Sequence, residues 1–483
     1  MTTSSPRWTP RWWHWLLLVV VFVLLLIFTV LLTLRTAGRA DYQRVLTDLR
    51  AQSKAATIDE FIAQAPIVDI SLQEAWHRWS SSAPDYPDLG GRTFKPDEWI
   101  RYVAGEAPAS PVIVQEIEDR RAQMQIARDL LRDPRLLVST YGSLAQDLPP
   151  GKRRLHHTAA VRMPNLLTAR SLANWLHHAA CTETDPRPAL DDFDRFHRAL
   201  SRPATLIDAM IWVAISAIRN DAYLHLALLG RLPEANRASW LAEECRLVAG
   251  VADGLDSERM LFTDSWAQMG EDTSFFGSFW ALQIGTGFST TPTDEWKEWL
   301  SFRWLYSGPW AWATIHHDSA VTAELVAHIS ARLRGERADP VPDWTVTQPR
   351  YWGYGAIGVS NLMESAIVAL EADAKHRMFR LAVTIISDVP TDGLPPDQIA
   401  LDQRLGDGAW LTPTGDHLHL SYERLGDHRF RLVVSPSSPI PNFDIPGRLT
   451  GRTKPFGAPA DKRSLVTHPQ VEVELPARLR TLP

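Results

Sequence analysis

Residues 12–34 read WWHWLLLVVVFVLLLIFTVLLTL, a stretch with no Asp, Glu, Lys or Arg, and within 16–32 every residue but Thr29 is Leu, Val, Ile or Phe. At about 1.5 Å of rise per residue, a helix of this length reaches across the roughly 30 Å hydrocarbon core of a bilayer. An apolar surface on every side of a helix suits lipid better than a soluble core. Trp8, Trp12, Trp13 and Trp15 stand where an interfacial aromatic belt would lie, and Arg35 and Arg39 close the other end. The competing reading is a cleaved secretory signal, because Ala37, Gly38 and Ala40 follow the run. Secretory apolar segments are usually about 7–15 residues long, and this one exceeds that. The expectation is an uncleaved single-pass anchor that meets the lipid bilayer through residues 12–34.

Sidedness is less sharply marked. Arg7 and Arg11 precede the run, whereas Arg35, Arg39, Arg44, Arg50 and Lys54 follow it, so basic residues alone would hold the larger part in the cytoplasm. That rule weakens for long translocated regions. Cys181 and Cys245 form at most one pair, which is no disulfide framework and does not name the compartment.

Outward from the anchor, the chain reads as mainly α. After a short tail at 1–11 and the anchor at 12–34, a stalk helix is expected over 35–65, with Tyr42, Val45, Leu49, Ile58, Phe61 and Ile62 as its apolar positions. A helical domain follows over 66–386. Its strongest part is 164–255, where helices are expected at 165–180, 189–200, 201–229 and 234–250, joined by short turns as antiparallel hairpins. Ser201 reads as the N-cap of the third, with Pro203 in its first turn. LIDAMIWVAISAI, 206–218, is apolar on nearly every face but too short to span a bilayer, which marks a buried central helix. Further helices are expected at 110–132, 294–306, 319–333 and 357–386. A small β-module is expected over 387–440, with strands at 410–412, 418–423 and 430–435, and a Pro/Gly/Arg-rich tail over 441–483.

Three segments carry a resemblance. They are NLLTARSLANWLHHAA (165–180) with PALDDFDRFHRALSRPATLIDAMIWVAISAI (188–218), the anchor with its stalk, and KHRMFRLAVTII (375–386) running through GLPPDQIAL (393–401) to GDHLHLSYERLGDHRFRLVVSP (415–436). Together they resemble uncharacterised bacterial single-pass membrane-anchored helical proteins. The last segment resembles the C-terminal arrangement of type II secretion pseudopilins, with Gly393, Pro395, Leu401 and Tyr422 as counterparts. A pseudopilin anchor runs directly into that module, whereas here the helical domain intervenes, and the processing signal before the anchor is missing. The resemblance therefore implies an envelope protein rather than a pseudopilus subunit, and a periplasmic large domain tethered to a bacterial inner membrane. It carries over no catalytic residue.

Composition bounds the chemistry. A formal net charge of −6, with no long basic stripe, argues against nucleic-acid binding. Neither G-x-S-x-G, H-E-x-x-H nor G-x-x-x-x-G-K-[ST] occurs, and Gly353, Gly355 and Gly358, which precede a helix, have no following lysine to complete a phosphate loop, so no catalytic residue and no cofactor is assigned. Of three His-His pairs, only the one at 316–317 has acidic and imidazole groups at helical spacing beyond it. His317, Glu324 and His328 are thus the candidate metal ligands. Asp191, Asp192, Asp194, Glu243 and Glu244 read as solvated helix faces, and Cys181 and Cys245 as structural thiols on apolar faces. The chain holds 20 Trp, many of them between 266 and 352. Trp296, Trp299, Trp304, Trp310 and Trp312 are the candidate binding surface, for which core packing is the competing reading. The expected function is a membrane-tethered envelope scaffold that binds another protein. The alternative is an envelope hydrolase with its site among residues 316–328.

Overall fold

The computed structural model describes residues 12–52, 54–82, 111–141, 166–243, 246–271, 309–337, 353–405, 420–434 and 470–475. Among them are twelve helices and one small sheet: α1 (Trp12–Ala51), α2 (Ile58–Gln64), α3 (Ile70–Ser82), α4 (Pro111–Leu131), α5 (Leu166–Thr182), α6 (Arg187–Ala199), α7 (Leu206–Leu228), α8 (Glu234–Ala242), α9 (Leu247–Glu271), α10 (Pro309–Leu333), α11 (Gly353–Asp392), α12 (Gln398–Leu405), β1 (Leu420–Gly426), β2 (Arg429–Val434) and β3 (Gln470–Glu474). The protein is mainly α, as its sequence predicts. The chain divides into two compact units, one of residues 1–60, 260–325 and 344–359, the other of 61–259, 326–343 and 360–483.

In the first unit α1 is a single helix of 40 residues with two different surfaces. Residues 15–30 are all exposed, and this part is long and apolar enough to cross a membrane. From Leu31 onward one face is buried, at Leu31, Arg35, Gly38, Tyr42, Val45 and Leu49, with Leu46 beside them. Those steps alternate between four and three residues, the spacing of a helix-on-helix seam. The facing helix is α10. Arg35 donates to the Trp312 carbonyl at 3.0 Å and lies 4.1 Å over the Trp312 ring, while Tyr42 meets the His316 ring. Arg44 reaches Glu324 at 3.2 Å. Residue numbers rise together in these pairs, so the two helices run parallel. At Gly38 they come so close that an added Cβ would stand 2.9 Å from the His317 backbone nitrogen.

The stalk expected over 35–65 is two helices rather than one. The chain leaves α1 after Ala51, and a fresh N-terminus forms at Thr57, whose hydroxyl accepts from Glu60 N at 3.3 Å while Glu60 Oε2 accepts from Ala56 N at 2.8 Å. This is capping chemistry, and it starts a new helix instead of extending the old one.

In the second unit α7 is the central element, buried along most of its length. It packs on both α5 and α6, and α5 packs on α6. Pairs 197–216 and 194–223 run in opposite senses along α6 and α7, so these two are antiparallel. The N-cap of α7 is Thr205, not Ser201. The Ser201 hydroxyl turns back to the Arg198 carbonyl at 2.7 Å and closes α6 instead. Asp208 completes the cap: its N–H donates to Thr205 Oγ1 at 3.1 Å, and its carboxylate accepts from the Ala204 and Thr140 N–H groups and from the Thr140 hydroxyl. The helix expected over 234–250 is likewise broken, because Glu243 takes an extended conformation (ψ 132) at the end of α8.

The sheet has the order β1-β2-β3, antiparallel throughout. Strand β3 lies within the segment expected to be a tail, and QVEVEL alternates as a half-buried strand should: Val471, Val473 and Leu475 are buried, while Gln470, Glu472 and Glu474 are exposed. On the wet face Glu423, Arg431 and Glu472 stand opposite one another across the three strands. The segment 410–412 lies outside the described residues.

The close approach at Gly38 gives a test. Gly38→Val forces α1 away from the α10 backbone and should destabilise the full-length protein by about 1–3 kcal/mol, the usual range for overpacking. Thermal unfolding in nanodiscs measures it, and an unchanged midpoint would mean that α1 and α10 do not meet there.

Candidate functional site

Of the residues predicted from sequence, His317, Glu324 and Trp312 make contacts with α1. His317 Nδ1 lies 3.2 Å from Asp41 Oδ2, and Glu324 pairs with Arg44, so both side chains are engaged by α1. His328 is buried further along α10. Among the described residues no three His, Cys, Asp or Glu side chains are grouped to hold a metal ion. Trp312 is the seat of Arg35, and Trp310 is half-buried. Trp296, Trp299 and Trp304 lie outside the described residues. Cys181 is a free, buried thiol that burial pushes up to about 12, which keeps it protonated and inert.

The polar chemistry of the second unit gathers around Arg219, at the middle of α7. Its guanidinium donates to Asp194 Oδ1 (2.8 Å), to Glu243 Oε2 (2.5 Å) and to His197 Nδ1 (3.1 Å). Tyr223 donates to the same Asp194 carboxylate at 3.0 Å, and its ring stacks on buried Trp240 with centroids 4.4 Å apart. Arg380, from α11, donates to the Trp240 and Glu243 carbonyls, and His376 Nδ1 meets Asn220 Oδ1 at 2.8 Å. Burial works against the Glu243 charge, but the Arg219 guanidinium, through its charge and its hydrogen bond, outweighs it and holds the carboxyl well below its usual range. Asp194, Asp192 and Glu243, expected on solvated faces, are thus arginine partners. Asp192 is itself buried, 2.5 Å from Arg128 Nε.

One part of this network has the outline of a catalytic triad. Ser216 Oγ lies 2.8 Å from His197 Nε2, and His197 Nδ1 lies 3.3 Å from Glu243 Oε1. The direction of the protons decides what it does. Arg219 donates to Nδ1, so the neutral ring carries its proton on Nε2 and gives it to Ser216 Oγ. The Ser216 hydroxyl in turn donates to the Trp212 carbonyl at 2.7 Å. A general base needs the opposite arrangement, with a bare Nε2 facing the serine proton. Burial and the Arg219 charge also drop the His197 pKa to about 4. The trio therefore joins α6 to α7 and does not activate a nucleophile. Neither family models, curated proteins nor solved structures match this chain.

Beside this network a cleft of about 440 Å³ opens between α7 and α11. Met210, Val213 and Ala217 form one wall, Val368 and Phe379 the other, with Leu247 between. Ser216, Asn220, Asp221, Glu371 and Lys375 supply its polar groups. Ser216 and Asn220 are committed to His197 and His376, but Asp221 and Glu371 have no hydrogen-bond or ion-pair partner among the described residues. Burial alone pushes the Asp221 carboxyl up to about 7. None of these five residues forms a motif in sequence. The only prior signal is a polar residue interrupting an apolar helix, as at Ser216 and Arg219.

Two outcomes follow from this geometry. Arg219→Met leaves Asp194 and Glu243 without their cation and should destabilise the fold by about 3–5 kcal/mol. Ser216→Ala removes one neutral hydrogen bond, at a cost of about 1 kcal/mol. Denaturant unfolding ranks the two, and a fluorophosphonate reagent should leave Ser216 unmodified in the unaltered chain.

Acid sensitivity is the second outcome. His177 Nε2 and His225 Nδ1 are 2.9 Å apart in a neutral pair. Burial holds His178 and His225 at about 4 and His177 well below its ordinary value. Unfolded histidines titrate near about 6.5, so the stabilisation is whole above that pH and is lost as pH falls toward about 4. Asp221 and Glu258, both raised to about 7 by burial, act with the opposite sign and lose their contribution as pH rises through that value. His225→Gln should therefore lose less melting temperature than the unaltered protein between about pH 7 and about pH 5. Equal losses would mean that this pair does not set the acid response.

Proposed function

We propose that this chain is a single-pass protein of a bacterial inner membrane, its large region periplasmic, and that the helical region binds another protein. The observation that carries the tether is the continuity of α1. The helix passes without a break from its exposed apolar stretch into the buried seam on α10. Cleavage near Ala37, Gly38 and Ala40 would cut this helix between Arg35 and Tyr42, both buried in that seam. Retention of the anchor is therefore favoured over removal of a signal peptide.

The envelope reading draws support from the C-terminal segment. Gly393 takes a positive φ of 66° after α11, Leu401 is fully buried, and the Tyr422 hydroxyl donates to the Pro395 carbonyl at 2.8 Å. The four residues that carry the pseudopilin resemblance thus belong to one local structure. A hydrolase built on His317, Glu324 and His328 draws less support, since His317 and Glu324 face partners on α1.

Intact mass of the membrane-extracted protein should include residues 12–34, and alkaline phosphatase fused after residue 483 should be active in cells. A mass beginning near residue 41 would overturn the anchor, and an inactive fusion would overturn the periplasmic placement. Crosslinking of the full chain in its native membrane should recover one reproducible protein partner, and recovery of none would overturn the scaffold reading.

A further inference from the structure

We propose that the cleft between α7 and α11 binds a small amphipathic amine, an apolar body carrying one cationic nitrogen that pairs with the Asp221 carboxylate. The volume of about 440 Å³ falls within the range of small-molecule sites, about 300–1,000 Å³, and is too confined for a folded partner. Met210, Val213, Ala217, Val368 and Phe379 give the walls an apolar character that rewards a hydrocarbon or aromatic body.

The head group is chosen by charge. The other shielded carboxylates of this unit are answered from within the protein: Asp192 by Arg128, Asp194 and Glu243 by Arg219, and Asp208 by backbone N–H groups. Among the described residues nothing answers Asp221, nor Glu371 across the cleft. Lys375 is the one basic side chain on the lining and is exposed to solvent. Two unpaired carboxylates against one solvated ammonium leave the cleft electronegative. An ammonium entering it restores to Asp221 the stabilisation that its surroundings withhold from its charged form. The raised pKa of Asp221, about 7, is what an unanswered carboxylate in this setting shows. A metal ion is a poorer fit, because the lining holds only two carboxylates with no His, Cys or third acid beside them, and Asn220 Oδ1 is committed to His376.

This inference is independent of the protein-binding role, and either can fail alone. The test uses the full chain in nanodiscs, with three probes that share one body: 4-phenylbutylamine, 4-phenylbutanol and 4-phenylbutanoate. Calorimetric titration, with empty nanodiscs subtracted, should show the amine binding at least about tenfold more tightly than the alcohol, and the acid more weakly still. Asp221→Asn keeps the shape and removes the charge, and should weaken the amine by about tenfold without changing the alcohol.

The unaltered protein supplies a check that needs no variant. The amine stays cationic throughout, while Asp221, facing Glu371 and Lys375 across the cleft, ionises as pH rises. Amine affinity should therefore increase from about pH 6 to about pH 8. Absence of amine binding, equal binding of amine and alcohol, or a flat pH profile would each overturn the proposal. So would full amine affinity in a folded Asp221→Asn protein.

Discussion

A guanidinium placed at the centre of an apolar helix has few ways to be tolerated. Arg219 is 3% exposed, and removing such a charge from water is expensive unless carboxylates and hydrogen bonds replace the solvent. Its partners come from α6, through Asp194 and His197, and from the end of α8, through Glu243. Each must reach the same few ångströms. That requirement sets the register of α6 against α7 and fixes where α8 must stop. The extended conformation of Glu243 ends α8 just where its carboxylate meets Arg219 and its carbonyl meets Arg380. Apolar packing brings these helices together, since it is the larger and less directional term. The arginine decides which of the many possible packings is the one adopted.

The same constraint explains why the cleft sits where it does. Along α7 one surface carries Ser216, Arg219 and Tyr223 into the network, all with partners supplied by other helices. Asn220 and Asp221 fall on the adjoining surface, toward α11. His376 reaches Asn220, but no described residue reaches Asp221. Consecutive residues on a helix are turned by about 100°, so a helix that satisfies Arg219 fully cannot also present Asp221 to those same partners. An unanswered acid beside an over-answered base follows from the pitch of the helix, and it is this imbalance that gives the cleft its sign.

Much of the helical architecture is legible in the residues, because 3.6-residue periodicity persists over long segments such as 166–182 and 206–228. Local rules fail where tertiary partners override them. Ser201 has the side chain of a cap, yet Thr205 is preferred because Asp208 three residues later also binds the Thr140 backbone, a contact 68 residues away in sequence. The helix over 234–250 is interrupted for a similar reason, since Glu243 is needed elsewhere. Strand β3 carries a clear alternation in QVEVEL, but its partner β2 lies far upstream, and a Pro- and Gly-rich neighbourhood masks so short a signal. The polar cluster and the cleft are the least legible. They are built from residues on five helices, and no spacing along the chain announces a meeting that only packing creates. Asp192 and Asp194 look like solvated faces until the arginines opposite them are known, whereas Asp191 is exposed and accepts from Asn236.

The anchor and the seam constrain each other in a way that neither does alone. Hydropathy ends the apolar run at Leu34, and burial of one face begins at Leu31. These are independent properties, one of composition and one of packing, and they hand over within a single turn of helix. Arg35 stands at that junction. A charged residue so close to a long apolar surface would ordinarily extend toward water, but here it turns to the Trp312 carbonyl and ring. Its hydrogen bonding is thereby met by protein where the exposed apolar surface ends. Gly38, one turn later, permits the close approach that keeps α10 within reach. A helix held in this manner cannot slide along its axis without breaking the Arg35 contact and the close packing at Gly38 together. The position of the apolar stretch is therefore set by side-chain packing beyond it, as well as by the length of its apolar surface.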